Sequence, residues 1–234
     1  AMLHYLSAPR LRWTLVGMLI AMSVLTHFAN GAIAARDTQT MRDFWWQVYW
    51  RIPKIEDGTT IAAIYPAIDY EDDIDIVWGP ANLLYYPQPQ PGTDLVKYKL
   101  AATRLDEAGI QDTLAENAKI SKPYRSHFMF QNYRKVLVMS QPSSESCVHV
   151  IDERWAERSQ YDTDQIAQLF PHSKIEFALT GNEIAAPPLD FVFGAEPAHD
   201  WCYYYQKAEL ARQQGDWESV AAVGAEAASL NLSP

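Results

Sequence analysis

The chain has 234 residues and is 48% apolar and 21% charged, which supports a packed core and excludes a wholly disordered polypeptide. Its 19 basic and 29 acidic side chains leave a net charge of −10, without the basic face of a nucleic-acid binder, and two cysteines exclude a disulfide-dense scaffold. The length suits one domain, with or without an appendage.

Residues 13–35 contain no Asp, Glu, Lys or Arg. As a helix these 23 residues run roughly 35 Å, enough to cross a hydrocarbon core of about 30 Å. His27 and Asn30 share one face of it, which places them at the interface or against neighbouring helices. A signal peptide is the competing reading, with Arg10 and Arg12 as its basic region and Ala32-Ile33-Ala34 as an A-x-A site. The run is long for that, and Pro9 with the two arginines leads into it as into an anchor. Arg10 and Arg12 abut the apolar run without nearby acids, which places the N-terminus inside and the large domain outside. Ala1 precedes Met2, which suits a piece of a longer protein or an added residue.

Residues 42–51, RDFWWQVYWR, read as an amphipathic helix leaving the membrane. Trp45, Trp46 and Trp50 fit the aromatic belt at the membrane interface, and a core helix stopped by Pro53 fits equally well. Residues 59–65 read as a buried strand, 74–86 as a helix, 87–92 as an extended loop, 95–103 as a strand and 105–118 as a helix. The stretches 126–131, 135–140 and 146–151 have strand composition and hairpin-length connections, which predicts an antiparallel meander. A short helix over 162–170 is capped by Asp162 or Thr163. Pro187-Pro188 marks a boundary, and helices follow over 201–214 and 217–228 with Gly215-Asp216 between them. The fold class expected is α+β: one transmembrane helix, a mixed domain containing the meander, and a C-terminal helical hairpin.

Glu71, Asp72, Asp73 and Asp75 form the densest acidic cluster. Oxygen-rich clusters hold divalent cations or polar ligands, so Asp72, Asp73 and Asp75 are the ligand-binding candidates. A solvated acidic turn at a helix start explains the same residues. Cys147 and Cys202 are candidates for a disulfide, for zinc with His149 and His199, or for free thiols; an exported domain with two cysteines favours the disulfide. There is no phosphate-binding glycine loop and no nucleophile elbow, so no cofactor, resident metal or catalytic residue is assigned. Asn231-Leu232-Ser233 is a formal glycosylation sequon.

Two resemblances add to this reading. Ala208, Leu210, Ala211, Gly215, Trp217, Val220 and Ala221 occupy small or apolar positions that look like one tetratricopeptide-type helix pair. His27, Asn30, Gln39, Phe44-Trp45-Trp46-Gln47, Trp50-Arg51-x-Pro53 and Gly58-Thr59 resemble the C-terminal region of bacterial polytopic proteins similar to integral-membrane glycosyltransferases. Phe193-Gly194, Glu196-Pro197-x-His199 and Trp201-Cys202-Tyr203-Tyr204 fit the end of the same pattern.

In that pattern a last transmembrane helix runs into an extracytoplasmic α/β domain, implying segments 1–35, 36–190 and 191–234. The catalytic acid of such enzymes lies in a membrane loop without a counterpart here, so none is carried over. The implied function is binding of a glycan or lipid-linked substrate, or assembly with membrane-embedded helices and envelope proteins, without turnover. The alternative is an independent single-pass envelope scaffold working through the C-terminal helix pair.

Overall fold

A computed structural model describes residues 9–66, 74–87, 99–117, 120–124, 127–155, 159–180 and 187–233. In chain order the elements are α1 (Pro9–Arg51), β1 (Lys54–Ile55), β2 (Thr60–Ile64), α2 (Asp75–Tyr85), β3 (Ala101–Ala102), α3 (Glu107–Leu114), β4 (Ile120–Tyr124), β5 (His127–Gln131) and β6 (Val136–Ser140). They continue with β7 (His149–Val150), α4 (Asp164–Ala167), β8 (Ala178–Leu179), α5 (Asp190–Phe193), α6 (Trp201–Gln214) and α7 (Trp217–Ser229). The chain divides into two compact units, 1–39 and 40–234; the C-terminal helix pair, expected as a segment of its own from 191, lies in the second.

The described part of the first unit is helix. Trp13, Met18, Leu19, Ile20, Met22, Leu25 and Phe28 all expose more than half of their surface. Water does not tolerate an apolar surface of that extent on a free-standing helix. α1 is long and apolar enough to cross a membrane. It does not stop at the end of the uncharged run: the 43-residue helix continues unbroken through Arg36 and Asp37 to Arg51.

The second unit is built on a four-stranded sheet of order β3-β2-β6-β7. β2 pairs in parallel with β3 on one side and β6 on the other, and β7 returns antiparallel beside β6. This corrects the antiparallel meander. β5 pairs with β4 rather than β6, and the main partner of β6 is β2, with Thr60 opposite Val136 and Ile64 opposite Ser140. The physical reason lies in the side chains. Val136, Leu137, Val138 and Met139 are all fully buried, so β6 needs cover on both faces, as parallel strands have.

The two faces carry different layers. Ile61, Ala63, Leu137 and Met139 face a core formed with Phe44, Trp45 and Val48 of α1 and with Val77, Ala81 and Leu84 of α2. Ala62, Val136 and Val138 face a second core with Ile110 of α3, Ile166 of α4, Leu169 and Phe170. The period of two along each strand thus divides a continuous apolar run between two layers.

The last turns of α1 are buried on every side: Phe44, Trp45, Trp46, Gln47, Val48, Trp50 and Arg51 all lie inside the domain. The expected amphipathic exit helix is therefore a core helix. Trp45 is 0% exposed and Trp46 and Trp50 each 4%, so their assignment to the membrane interface is withdrawn. An indole in the headgroup belt must reach lipid and water together, and these reach neither.

Two local details explain the frame. Pro80 lies inside α2 and offers no N–H to the carbonyl of Ile76; Tyr65 Oη donates to that oxygen instead, at 2.9 Å. At the start of α3, Asp106 accepts from the Gly109 N–H at 2.8 Å, and a Cβ on Gly109 would lie 2.1 Å from the carbonyl oxygen of Arg104. Backbone that close cannot yield without moving the turn. Gly109→Ala is therefore expected to destabilise the domain by about 1–3 kcal/mol, measured as a fall in the urea midpoint at unchanged slope. An unchanged midpoint would remove this account of the turn.

The C-terminal helices begin and end where the sequence places them. Asp200 and Asp216 accept from the N–H groups of Tyr203 and Ser219, and Gly215 closes α6 at φ 75°. α7 packs on α6 through buried Ala227 and a Tyr204 Oη to Glu226 bond of 3.1 Å, and its Trp217 stays 66% exposed.

Candidate functional site

β2 and β6 run side by side in the same direction. From β2 the chain goes on to β3 on one side, and from β6 it goes on to β7 on the other. Where neighbouring parallel strands send their chains to opposite sides, their carboxyl ends leave a crevice, and open α/β sheets bind ligands there. A cleft of about 210 Å³ occupies that position, lined by Tyr65 beyond β2, Ser140 and Gln141 at the end of β6, and Tyr161, Asp162 and Thr163 before α4.

Each wall is held from outside the cleft. The Gln141 N–H donates to the carbonyl of Ile64 at 2.8 Å, extending the β2–β6 ladder to its rim. Tyr65 is fixed by the Ile76 carbonyl and by stacking on Phe44, with ring centroids 4.4 Å apart. Thr163 caps α4 through the Ile166 N–H, which leaves Asp162 free of the capping role that it shared with Thr163 in the sequence reading. The Asp162 carboxylate instead accepts from Ser140 Oγ, and from the Ser159 N–H at 2.7 Å.

Gln141 is 4% exposed, and its Nε2 donates to the Ser146 carbonyl at 2.9 Å. That carbonyl only accepts, so the amide orientation is settled and Oε1 is the remaining group. Oε1 has no hydrogen-bond partner among the described residues. A buried acceptor in that state costs about 1–3 kcal/mol until a donor arrives.

The cleft thus offers acceptors on one side, a carboxylate and an amide oxygen, and an aromatic rim on the other. Tyr161 is 69% exposed. A hydroxyl bonded to a carboxylate lacks the intervening imidazole of the usual serine devices, and the lining contains no histidine. The arrangement suits recognition of a hydroxyl-bearing ligand.

The candidates read from the sequence lie elsewhere. Asp75 opens α2 and is not part of the cleft lining, and Asp72 and Asp73 lie outside the described residues. Cys147, just before β7, and Cys202, in the first turn of α6, are joined by a disulfide with a Cα–Cα distance of 5.1 Å. Both sulfurs are thereby removed from any zinc site. No metal-ligating group of three His, Cys, Asp or Glu occurs among the described residues.

The tryptophan-rich turns of α1 and the segment after α5 form a clasp. Arg42 Nε donates to the Val192 carbonyl at 3.0 Å and Trp46 Nε1 to the Phe193 carbonyl at 3.0 Å. Gly194 turns the chain at φ 70°, a conformation that disfavours other residues. Trp50 Nε1 then donates to Glu196 Oε1 at 2.9 Å, and His199 Nε2 meets the same oxygen at 3.1 Å. Burial would raise the Glu196 carboxyl, but the bonds from His199 and Trp50 outweigh it and hold the group below its ordinary range. His199 stacks on Tyr203 with centroids 3.6 Å apart.

Deeper in, Gln47 Oε1 accepts from the Val148 N–H at 2.8 Å and Arg51 Nη1 donates to Gln213 Oε1 at 2.7 Å. Burial brings the Arg51 guanidinium down to about 10, against the pull of Glu209, so it stays charged at neutral pH. The motif residues that carry the glycosyltransferase-like resemblance are therefore packing and clasp residues in this domain.

No family model, curated protein or solved structure matches the chain. The functional reading rests on the site itself. Sequence reasoning missed Ser140, Gln141, Tyr161 and Asp162. The available signal was a polar pair, Ser140-Gln141, ending an unalternating apolar run, as at the carboxyl end of a buried parallel strand.

Proposed function

We propose that this chain is a membrane-anchored, extracytoplasmic binding module that holds a glycan, or the sugar of a lipid-linked substrate, without turning it over. The cleft at the carboxyl ends of β2 and β6 carries this reading, because its polar and aromatic lining is arranged for holding rather than for proton or group transfer. The exposed apolar surface of α1 supports anchoring, and the Cys147–Cys202 bond supports an oxidising compartment. The resemblance of the chain to glycosyltransferase-like proteins supports the ligand class and points to membrane-embedded helices or envelope proteins as neighbours.

The test uses the full chain in cells and after purification in a detergent without a sugar headgroup. The chain is expected to remain in the membrane fraction after an alkaline carbonate wash. Lys99 and Lys135 are expected to react with an impermeant amine reagent applied from outside the cytoplasmic membrane. The purified chain is expected to be retained by immobilised envelope oligosaccharides. Release by carbonate, protection of the domain from the outside, or passage through every glycan column would each overturn the part of the reading it addresses.

A further inference from the structure

We infer that the cleft selects a neutral, hydroxyl-rich monosaccharide unit and discriminates against acidic or phosphorylated sugars. The inference rests on the glycan-binding reading and names its ligand more narrowly. Its warrant is the pairing of the buried, unpartnered Gln141 Oε1 with the Asp162 carboxylate and the exposed Tyr161 ring in one lining.

Gln141 Oε1 needs a donor. Being buried, it gains most from a ligand hydroxyl that replaces a hydrogen bond lost to the solvent. Asp162 is an acceptor already engaged by Ser140 and Ser159, and its oxygens retain lone pairs for a second donor. A ligand carboxylate or phosphate would bring acceptors and a like charge against both groups. Nor does the lining contain an Arg or Lys to receive such an anion.

A pyranose unit supplies what remains. Its hydroxyl edge is rich in donors, and its flat C–H face can lie on the Tyr161 ring, which is positioned at the rim with most of its surface bare. The volume, about 210 Å³, holds a single unit rather than an extended oligosaccharide. Phosphate recognition at such crevices ordinarily uses a glycine-rich turn at a helix start, and α4, which borders the lining, has four residues and no glycine.

Ligand-observed NMR and calorimetry on the full chain, in a detergent without a sugar headgroup, test this. The probes are methyl glucoside, methyl mannoside, glucosamine, glucuronate and glucose 1-phosphate. The neutral glycosides are expected to bind more tightly than the charged sugars. Tyr161→Ala, on an exposed side chain, is expected to weaken them about tenfold, the size of one lost aromatic contact, with the unfolding midpoint unchanged. Asp162→Asn keeps an acceptor toward Ser140 while removing the charge. It is expected to raise glucuronate affinity relative to methyl glucoside.

Preferred binding of glucuronate, glucose 1-phosphate or glucosamine, still sensitive to Tyr161→Ala, would overturn the neutral-sugar inference and leave the glycan-binding cleft standing. Failure of Asp162→Asn to change the ratio would overturn the role given to that carboxylate. Absence of binding by all five probes, or binding insensitive to Tyr161→Ala, would overturn both the inference and the cleft reading.

Discussion

Replacing Trp45 with alanine is expected to cost the folded domain about 3–5 kcal/mol, the range for removing a large aromatic side chain from a packed core. Trp45 is 0% exposed and meets Phe44 edge to face with centroids 5.3 Å apart. Phe44 in turn stacks on Tyr65, a wall of the cleft, so the void would loosen the binding site as well as the core. Trp45→Phe is expected to cost clearly less. It keeps most of the apolar volume, and the indole N–H that it removes is buried without a partner among the described residues. Urea unfolding of the full chain in micelles, followed by near-ultraviolet circular dichroism, measures both. A membrane-interface role predicts the opposite pattern, with altered lipid partitioning and an unchanged unfolding midpoint.

Loss of the Cys147–Cys202 bond is expected to cost about 4 kcal/mol on the chain-entropy model for a loop of its 55-residue separation. The bond ties the start of the edge strand β7 to the first turn of α6. Non-covalent contacts hold the same junction: Gln206 Nε2 donates to the Val148 carbonyl at 2.8 Å and Gln47 Oε1 accepts from the Val148 N–H. A double Cys147→Ala, Cys202→Ala chain should therefore still fold, with a lower midpoint, and a reductant should lower the midpoint of the native chain but not of the double variant. Equal midpoints for native and double-variant chains under oxidising conditions would show that the cross-link does not constrain the unfolded chain.

What the sequence determined by itself was local. An uncharged run of 23 residues reads as a membrane-length helix because length and composition suffice for that judgement. The boundaries of α6 and of the start of α7 were legible because Asp200, Gly215 and Asp216 act on backbone groups within a few residues of themselves. β2 was legible as a buried strand for the same reason: its run of apolar residues carries its own signal. The partner of β6 was not legible. Thr60 and Val136 are neighbours across the sheet although 76 positions apart, and hairpin-length connections made a local pairing equally consistent with the strand pattern. Trp45, Trp46 and Trp50 were ambiguous because an indole suits a membrane interface and a packed core alike. Only the presence of α2, the sheet and the segment after α5 around them made the choice. The cleft was least legible of all. Its walls come from three segments, around residues 65, 141 and 162, and no one of them has a distinctive pattern. They form a site because the parallel pairing of β2 and β6 brings their carboxyl ends together, and pairing is decided by burial over the whole sheet rather than by neighbours along the chain.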